Sequence, residues 1–268
     1  MAKRRYQSTP TVSATEANVV VVVAHDFAFD LPVSIPAGLT TFELRNRGTQ
    51  GHHLEIVRLD SGKTASEAVA TLMKVQQGSR PAWMYSVGGP NAAAPGGSSN
   101  ATLVLRPGNY LAFCEIPGPT PMRHYMKGMV KPFTVTSPAR AGTLPAADVA
   151  MNLVDFDFVL SHPLTRGHHV LAVTNTGAQR HMVVIRRYPM DYPAGTAAND
   201  LVAWARDPQG KAAPGAIEGG LTELSPGGTV VMSRDFLPGR YLLICFSTDE
   251  KDGKPHFAHG MQKEITIE

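Results

Sequence analysis

The residues with the most chemistry to offer lie between Tyr110 and Met129. Cys114 ends an apolar run, nine residues separate it from His124, and Met129 follows five positions later. A thiolate, an imidazole and a thioether brought together by one loop are soft and borderline donors. With a second imidazole they make the His2Cys set with a weak axial methionine that holds copper. His52, at the start of a strand pattern well upstream, offers that second imidazole, and His53 beside it is the alternative. The same residue types recur in the C-terminal half as His181, Cys245, His256 and Met261. Taken singly, each has a plainer reading: a buried cysteine is a small hydrophobe, and a methionine fills a core. Their joint recurrence favours metal.

The recurrence extends well beyond these residues. Asp26-Phe27-x-Phe29-x-Leu31 returns as Asp155-Phe156-x-Phe158-x-Leu160. Asn46-x-Gly48-x-Gln50-x-His52 returns as Asn175-x-Gly177-x-Gln179-x-His181. One offset of 129 residues (155 − 26 and 181 − 52) relates them, drifting to 132 by Met261 through small loop insertions. Pro107-Gly108-x-Tyr110-Leu111 returns as Pro238-Gly239-x-Tyr241-Leu242. This is an internal duplication of a unit of about domain size. Because His53 has Met182 as its counterpart, the duplication favours His52 as the ligand.

Asn-x-Gly-x-x-x-His followed by Cys…His-x-x-x-Gly-Met is similar to the copper-binding pattern of cupredoxins, and each half resembles a cupredoxin domain from about Val19 to Glu268. The resemblance implies a Greek-key β-sandwich in each half, with copper held by His52, Cys114, His124 and Met129 and by His181, Cys245, His256 and Met261. The gaps between cysteine and second histidine, nine and ten residues, exceed those of small blue copper proteins. They are closer to the loop of two-domain copper nitrite reductases. Those enzymes and multicopper oxidases carry a histidine directly before the cysteine and further His-x-His pairs. Phe113 and Ile244 stand before the cysteines here, and no His-x-His occurs, so the resemblance implies a centre without catalysis of its own.

The elements that must position these residues are mostly strands. Glycine (25) and proline (21) are scattered among short runs rich in valine, leucine and threonine, which predicts an all-β chain with many turns. The expected organisation is an N-terminal arm over 1–18, a cupredoxin-like domain over 19–137, a linker over 138–147 and a second such domain over 148–268. Strands are expected from Val19, through Phe27–Leu31, over Thr40–Arg45 and over His52–Arg58, with Pro36–Gly38 as a turn, Val87–Asn100 as a loop and Pro107-Gly108 as a hairpin-like turn. Each domain should carry one inserted helix. The first spans Thr64–Gln77, opened by a capping box of Thr64 and Glu67 and ended by Gly78; the second spans Ala197–Arg206.

Composition excludes several functions. A net charge of +3 without a long basic stripe argues against nucleic acid. No apolar run reaches the length of a membrane span, and no export signal is visible. The basic start, Met1–Arg5, offers only a peripheral contact to an acidic membrane surface. The two cysteines occupy the same place in different repeats, which argues against a disulfide between them. His25, His162, His168, His169 and His259 read as surface groups, and Trp83 and Trp204 as local anchors or contact residues. The glycine pairs Gly88-Gly89 and Gly96-Gly97 lack the helix start of a nucleotide site. The leading expectation is a copper-binding electron-transfer protein, not an enzyme. It would be periplasmic or otherwise extracytoplasmic, meeting a redox partner near the second histidine. The alternative is a copper-free extrinsic subunit docking on a membrane-bound respiratory or photosynthetic complex.

Overall fold

The computed structural model describes residues 17–74, 80–118, 122–140, 142–207, 211 and 213–268, with the backbone alone at 138–140. Residues 1–16 of the expected arm, Gly78 with its neighbours and the loop residues 119–121 lie outside these, and Asn18, the last residue of that arm, already belongs to a strand. The first half contains β1 (Asn18–His25), β2 (Ala28–Asp30), β3 (Ser34–Asn46), β4 (Glu55–Leu59), α1 (Ala65–Leu72), β5 (Met84–Ser86), β6 (Ser98–Leu105), β7 (Gly108–Phe113) and β8 (Val130–Arg140). The second contains β9 (Val149–Val154), β10 (Asp157–Leu160), β11 (Gly167–Asn175), β12 (His181–Tyr188), α2 (Ala197–Arg206), β13 (Ala216–Leu224), β14 (Thr229–Phe236), β15 (Gly239–Ile244) and β16 (Gln262–Ile267).

Each half is a two-layered β-sandwich, and the two halves share one strand order. One layer runs β2-β1-β3-β6 in the first half and β10-β9-β11-β14 in the second. The other runs β8-β7-β4-β5 and β16-β15-β12-β13. Alternation explains the layers: Val20, Val22 and Ala24 of β1 point inward while Val19 and Val21 point out. Phe42, Phe113, Phe158 and Phe236 are fully buried, each contributing about 1.5–3 kcal/mol. Tyr110 and Tyr241 lock the turn before the cysteine strand: each hydroxyl donates to a carbonyl four residues upstream, Arg106 at 2.7 Å and Leu237 at 2.8 Å.

Several local expectations change. Pro36–Gly38 is no turn but part of β3, which pairs first with β8 in parallel and then with β1 and β6. Gly38, at φ +118°, lets the strand pass from one layer to the other. The turn at Pro107-Gly108 is likewise not a hairpin, because β6 pairs with β3 and β14 whereas β7 pairs with β4 and β8. β8 continues to Arg140, past the expected start of the linker. α1 ends at Leu72, short of Gln77. Its capping box is present, with Glu67 N–H donating to Thr64 Oγ1 at 3.2 Å and Thr64 N–H to Glu67 Oε2 at 2.8 Å. α2 has the expected span but no capping bond from the Thr196 side chain, which donates to Pro193 O; Glu264 on β16 accepts from Gly195 and Ala197 instead.

The segment read as a loop over Val87–Asn100 joins the halves. Gly88 N–H donates to Glu223 O, Thr222 N–H to Gly89 O and Asn91 N–H to Gly220 O, each at 3.0 Å, so this segment lies along β13. A side chain at Gly89 would place its Cβ 2.1 Å from Leu54 O, so only glycine allows this approach. Thr102 of β6 pairs with Val231 of β14, merging the two matching layers into one continuous sheet. Most of the buried apolar side chains of both halves form one contiguous cluster, and a smaller one lies under each helix.

Candidate metal centres

The histidine that opens each centre is placed by the Asn-x-Gly motif. Asn46 Nδ2 donates to Gln50 O (2.6 Å) and Ala93 O (2.9 Å), and its Oδ1 accepts from Gly48 N–H (2.8 Å). Asn175 makes the same three bonds to Gln179 O, Leu224 O and Gly177 N–H. One buried amide thus folds the five-residue turn that delivers His52 or His181. The glycine serves a different need. A Cβ at Gly48 would stand 2.4 Å from Asp26 Oδ1 and 2.7 Å from His52 Nε2; at Gly177 the distances to Asp155 Oδ1 and His181 Nε2 would be 2.3 Å and 2.6 Å. Glycine leaves the space in which an aspartate meets the histidine.

The Cys-His-Met loop is fixed by its backbone. Cys114 N–H donates to Met129 O (3.2 Å), Tyr125 N–H to Cys114 O (2.8 Å) and Met129 N–H to His124 O (3.1 Å). Cys245, Phe257, His256 and Met261 repeat these bonds. A single 3-10 turn, His124–Lys127 or His256–His259, ends on a left-handed glycine, Gly128 (φ +100°) or Gly260 (φ +96°), which explains the Gly before each methionine. Met129 and Met261 are fully buried in the core beside their cysteines.

The structure brings His52, Cys114 and His124 together, and separately His181, Cys245 and His256, with all ligand atoms of each group within 4.8 Å of one another. His52 Nδ1 faces His124 Nδ1 at 3.1 Å, and Cys114 Sγ lies 3.5 Å from His124 Nδ1. In the second group the corresponding distances are 2.9 Å and 3.6 Å. His53 is not part of the first group: its Nε2 accepts the Glu115 N–H at 2.8 Å. Both cysteines are free and buried, with no bridge between them.

Each first histidine has an acceptor on its outer nitrogen, a role no residue filled in the sequence reading. His52 Nε2 meets Asp26 Oδ1 at 2.9 Å, and His181 Nε2 meets Asp155 Oδ1 at 2.5 Å. The signal was available in the duplicated Asp-Phe pair, which reads as a strand marker when its spacing to the histidine is ignored. Burial raises Asp26, but hydrogen bonds from Thr49 and His52 outweigh it and bring its pKa to about 2. Asp155 is lowered against burial by His181 and the Ala178 N–H. The phenylalanine of each pair covers the second histidine. Phe27 stands edge-on to His124 at 5.2 Å and Phe156 to His256 at 5.0 Å. His124 and His256 are fully buried.

These contacts set the proton positions. With Asp26 accepting, His52 carries its proton on Nε2 and presents a lone pair at Nδ1. His124 Nε2 faces Gln50 Oε1 at 3.2 Å, so its Nδ1 presents a lone pair as well. Two lone pairs facing at 3.1 Å with no proton between them, beside a thiol, fit a cation that prefers nitrogen and sulfur. The second centre differs. Gln179 is turned to Asp249 (3.0 Å) and Glu250 N–H (2.7 Å), and His256 Nε2 is buried without a partner among the described residues. Burial lowers His124 and His256 to about 4 and raises the thiols, Cys114 to about 12 and Cys245 to about 11. Both centres are therefore uncharged at neutral pH until a metal displaces the thiol proton.

The remaining histidines have partners on the surface. His25 meets Asp30 (2.8 Å) and His168 meets Asp235 (2.9 Å), while His169 contacts Asp148 and Thr165. His162 contacts Asp148 O at 2.7 Å. His259 stacks on Phe156 at 4.9 Å and meets Asp252 at 3.2 Å. Asp249, Asp252 and His259 form a third group that could hold a metal, but the Asp249 carboxylate is already taken up by Gln179 and the Lys251 N–H. Trp83 packs on the α1 core beneath Lys63, and Trp204 Nε1 donates to Lys211 O, as anchors do.

No protein-family model matches the chain, and no curated protein matches it. Among solved structures it is similar to auracyanin from the photosynthetic bacterium Roseiflexus castenholzii, at 21% identity over 46% of this chain and 100% of that one, TM-score 0.32. It is similar to auracyanin A, a blue copper protein from Chloroflexus aurantiacus, at 21% over 45% and 100%, TM-score 0.31. A blue copper oxidase from Nitrosomonas europaea matches at 13% over 94% and 86%, TM-score 0.28. Likenesses of this size leave the fold to stand on the strand order itself.

Proposed function

We propose that each half holds one copper ion and that the chain carries electrons without catalysing a reaction of its own. His52, Cys114, His124 and Met129 would hold one ion, and His181, Cys245, His256 and Met261 the other. The observation that carries this reading is the pair of facing Nδ1 atoms, 3.1 Å and 2.9 Å apart, each beside a buried thiol. Copper in such a site supplies one-electron exchange. The chain's part is to keep the donors from moving and to keep water out. Asp26 and Asp155 hold the first histidines, the 3-10 turns hold the second, and Phe27 and Phe156 close the outer side.

A redox partner protein or membrane-bound complex would meet the first centre across Phe27, Lys127, whose Nζ stands 4.5 Å above that ring, and the exposed Met122 and Met126. A location outside the cytoplasm belongs to the same proposal, and cell fractionation tests it. No described helix is long and apolar enough to cross a membrane.

Protein loaded with cupric ion should show an intense visible sulfur-to-copper charge-transfer band that bleaches and returns on reduction and reoxidation. Cys114→Ser and Cys245→Ser should each remove one copper and its share of the band. A colourless protein whose metal content ignores both substitutions contradicts the reading and leaves the copper-free extrinsic subunit in its place.

A further inference from the structure

A buried ion network lies in the seam between the halves and reaches both centres. Arg80, just before β5, is buried. Its Nη2 donates to Glu55 Oε1 (3.2 Å), to Ser86 Oγ (3.0 Å) and to the carboxylate of Glu223 on β13 of the other half. Its Nη1 stands 3.6 Å from Glu115 Oε2. Glu223 also meets Arg180 Nε at 3.8 Å, and its N–H donates to Glu55 Oε2 at 2.9 Å. The ends of this chain of contacts are neighbours of ligands: Glu115 directly follows Cys114, and Arg180 directly precedes His181. Leu224, next to Glu223, pairs with His181 across β12 and β13.

Resting on the copper reading above, we propose that Arg80 couples the two metal centres, so that an ion taken up at either one weakens the binding of the other. The seam is buried, and charges there are screened far less than at a surface. One guanidinium is shared by a carboxylate joined to the first centre and a carboxylate joined to the second. A cation at Cys114 draws Glu115 toward it and leaves Arg80 to Glu223. Glu223 then offers less negative charge to Arg180 and to the centre beyond it. Burial opposes ionisation of Glu223, but Arg80 and Arg180 outweigh it and keep that carboxylate charged. Linkage requires the same factor in both directions.

The test is a cupric ion titration of the full chain, followed by the charge-transfer band. Cys114→Ser and Cys245→Ser give the affinity of each centre alone. The expected result is a second copper in the unsubstituted protein bound about five-fold or more weakly than that centre binds alone. Arg80→Gln should bring the two centres to within about two-fold of independence. Where that variant does not fold, Glu115→Gln, which leaves Arg80 with Glu55 and Glu223, should reduce the coupling in the same sense. A purely structural network would lower stability but leave the ratio of affinities unchanged. Two ions bound independently overturn the coupling and spare the copper reading; no copper uptake by either single-centre variant overturns both.

Discussion

At the scale of the residue, the account turns on small groups that leave space or fix a proton. Gly48→Ala and Gly177→Ala push a methyl into the His–Asp contact. Each should cost about 1–3 kcal/mol by denaturant unfolding and weaken copper at its own centre. Asp26→Asn should lower copper affinity at the first centre about 10–100-fold and leave the second little changed, read by titrating the Cys245→Ser and Cys114→Ser backgrounds. The single-centre affinities should also differ from each other. Gln50 holds His124 with its Nδ1 lone pair free, whereas His256 must bury an unpartnered Nε2–H to present its own, so the first centre should bind more tightly. The ligands themselves were legible because each type recurs at a fixed offset. Asp26 and Asp155 recur too, but a turn aspartate reveals its partner only when the fold brings β1 and β2 over the histidine.

At the scale of the element, periodicity and caps carried most of the fold, and failures came where pairing is non-local. Alternating valines disclose β1, and Thr64 with Glu67 discloses the start of α1. Pro36–Gly38 has turn chemistry locally, yet parallel pairing with the distant β8, Pro36 opposite Thr136 and Gly38 opposite Arg140, keeps it in a strand. Val87–Asn91 has no strand pattern because its partner is the backbone of β13 in the other half. α2 is capped by a residue remote in sequence, which no helix-start motif discloses. Glu264→Ala should therefore destabilise the protein by about 1 kcal/mol, as loss of a cap does. Far-ultraviolet thermal melts of the variant check this.

At the scale of the whole molecule, one core and one buried ion seam join the halves, so the protein should unfold in a single cooperative transition. Its stability should also fall in mild acid. His124 and His256 are neutral in the folded state down to about pH 4, while their unfolded counterparts protonate near pH 6.5. The unfolded state thus binds more protons between those values, and each histidine removes about 1.4 kcal/mol per pH unit across that window. Denaturant midpoints of the metal-free protein at pH 7, 6 and 5 should decline in step, with Asp26 adding a further loss only as the pH falls toward about 2. At neutral pH, each copper bound should release one proton, that of the buried thiol, measurable by calorimetry in buffers of different ionisation enthalpy.

The central claim is that each half places two imidazole nitrogens and one thiolate on a single ion. X-ray absorption at the copper edge of the fully loaded protein tests it most directly. The account predicts two copper ions per chain, each with one sulfur and two imidazole nitrogens in its nearest shell. A shell of nitrogen and oxygen without sulfur, unchanged by Cys114→Ser and Cys245→Ser, would contradict it.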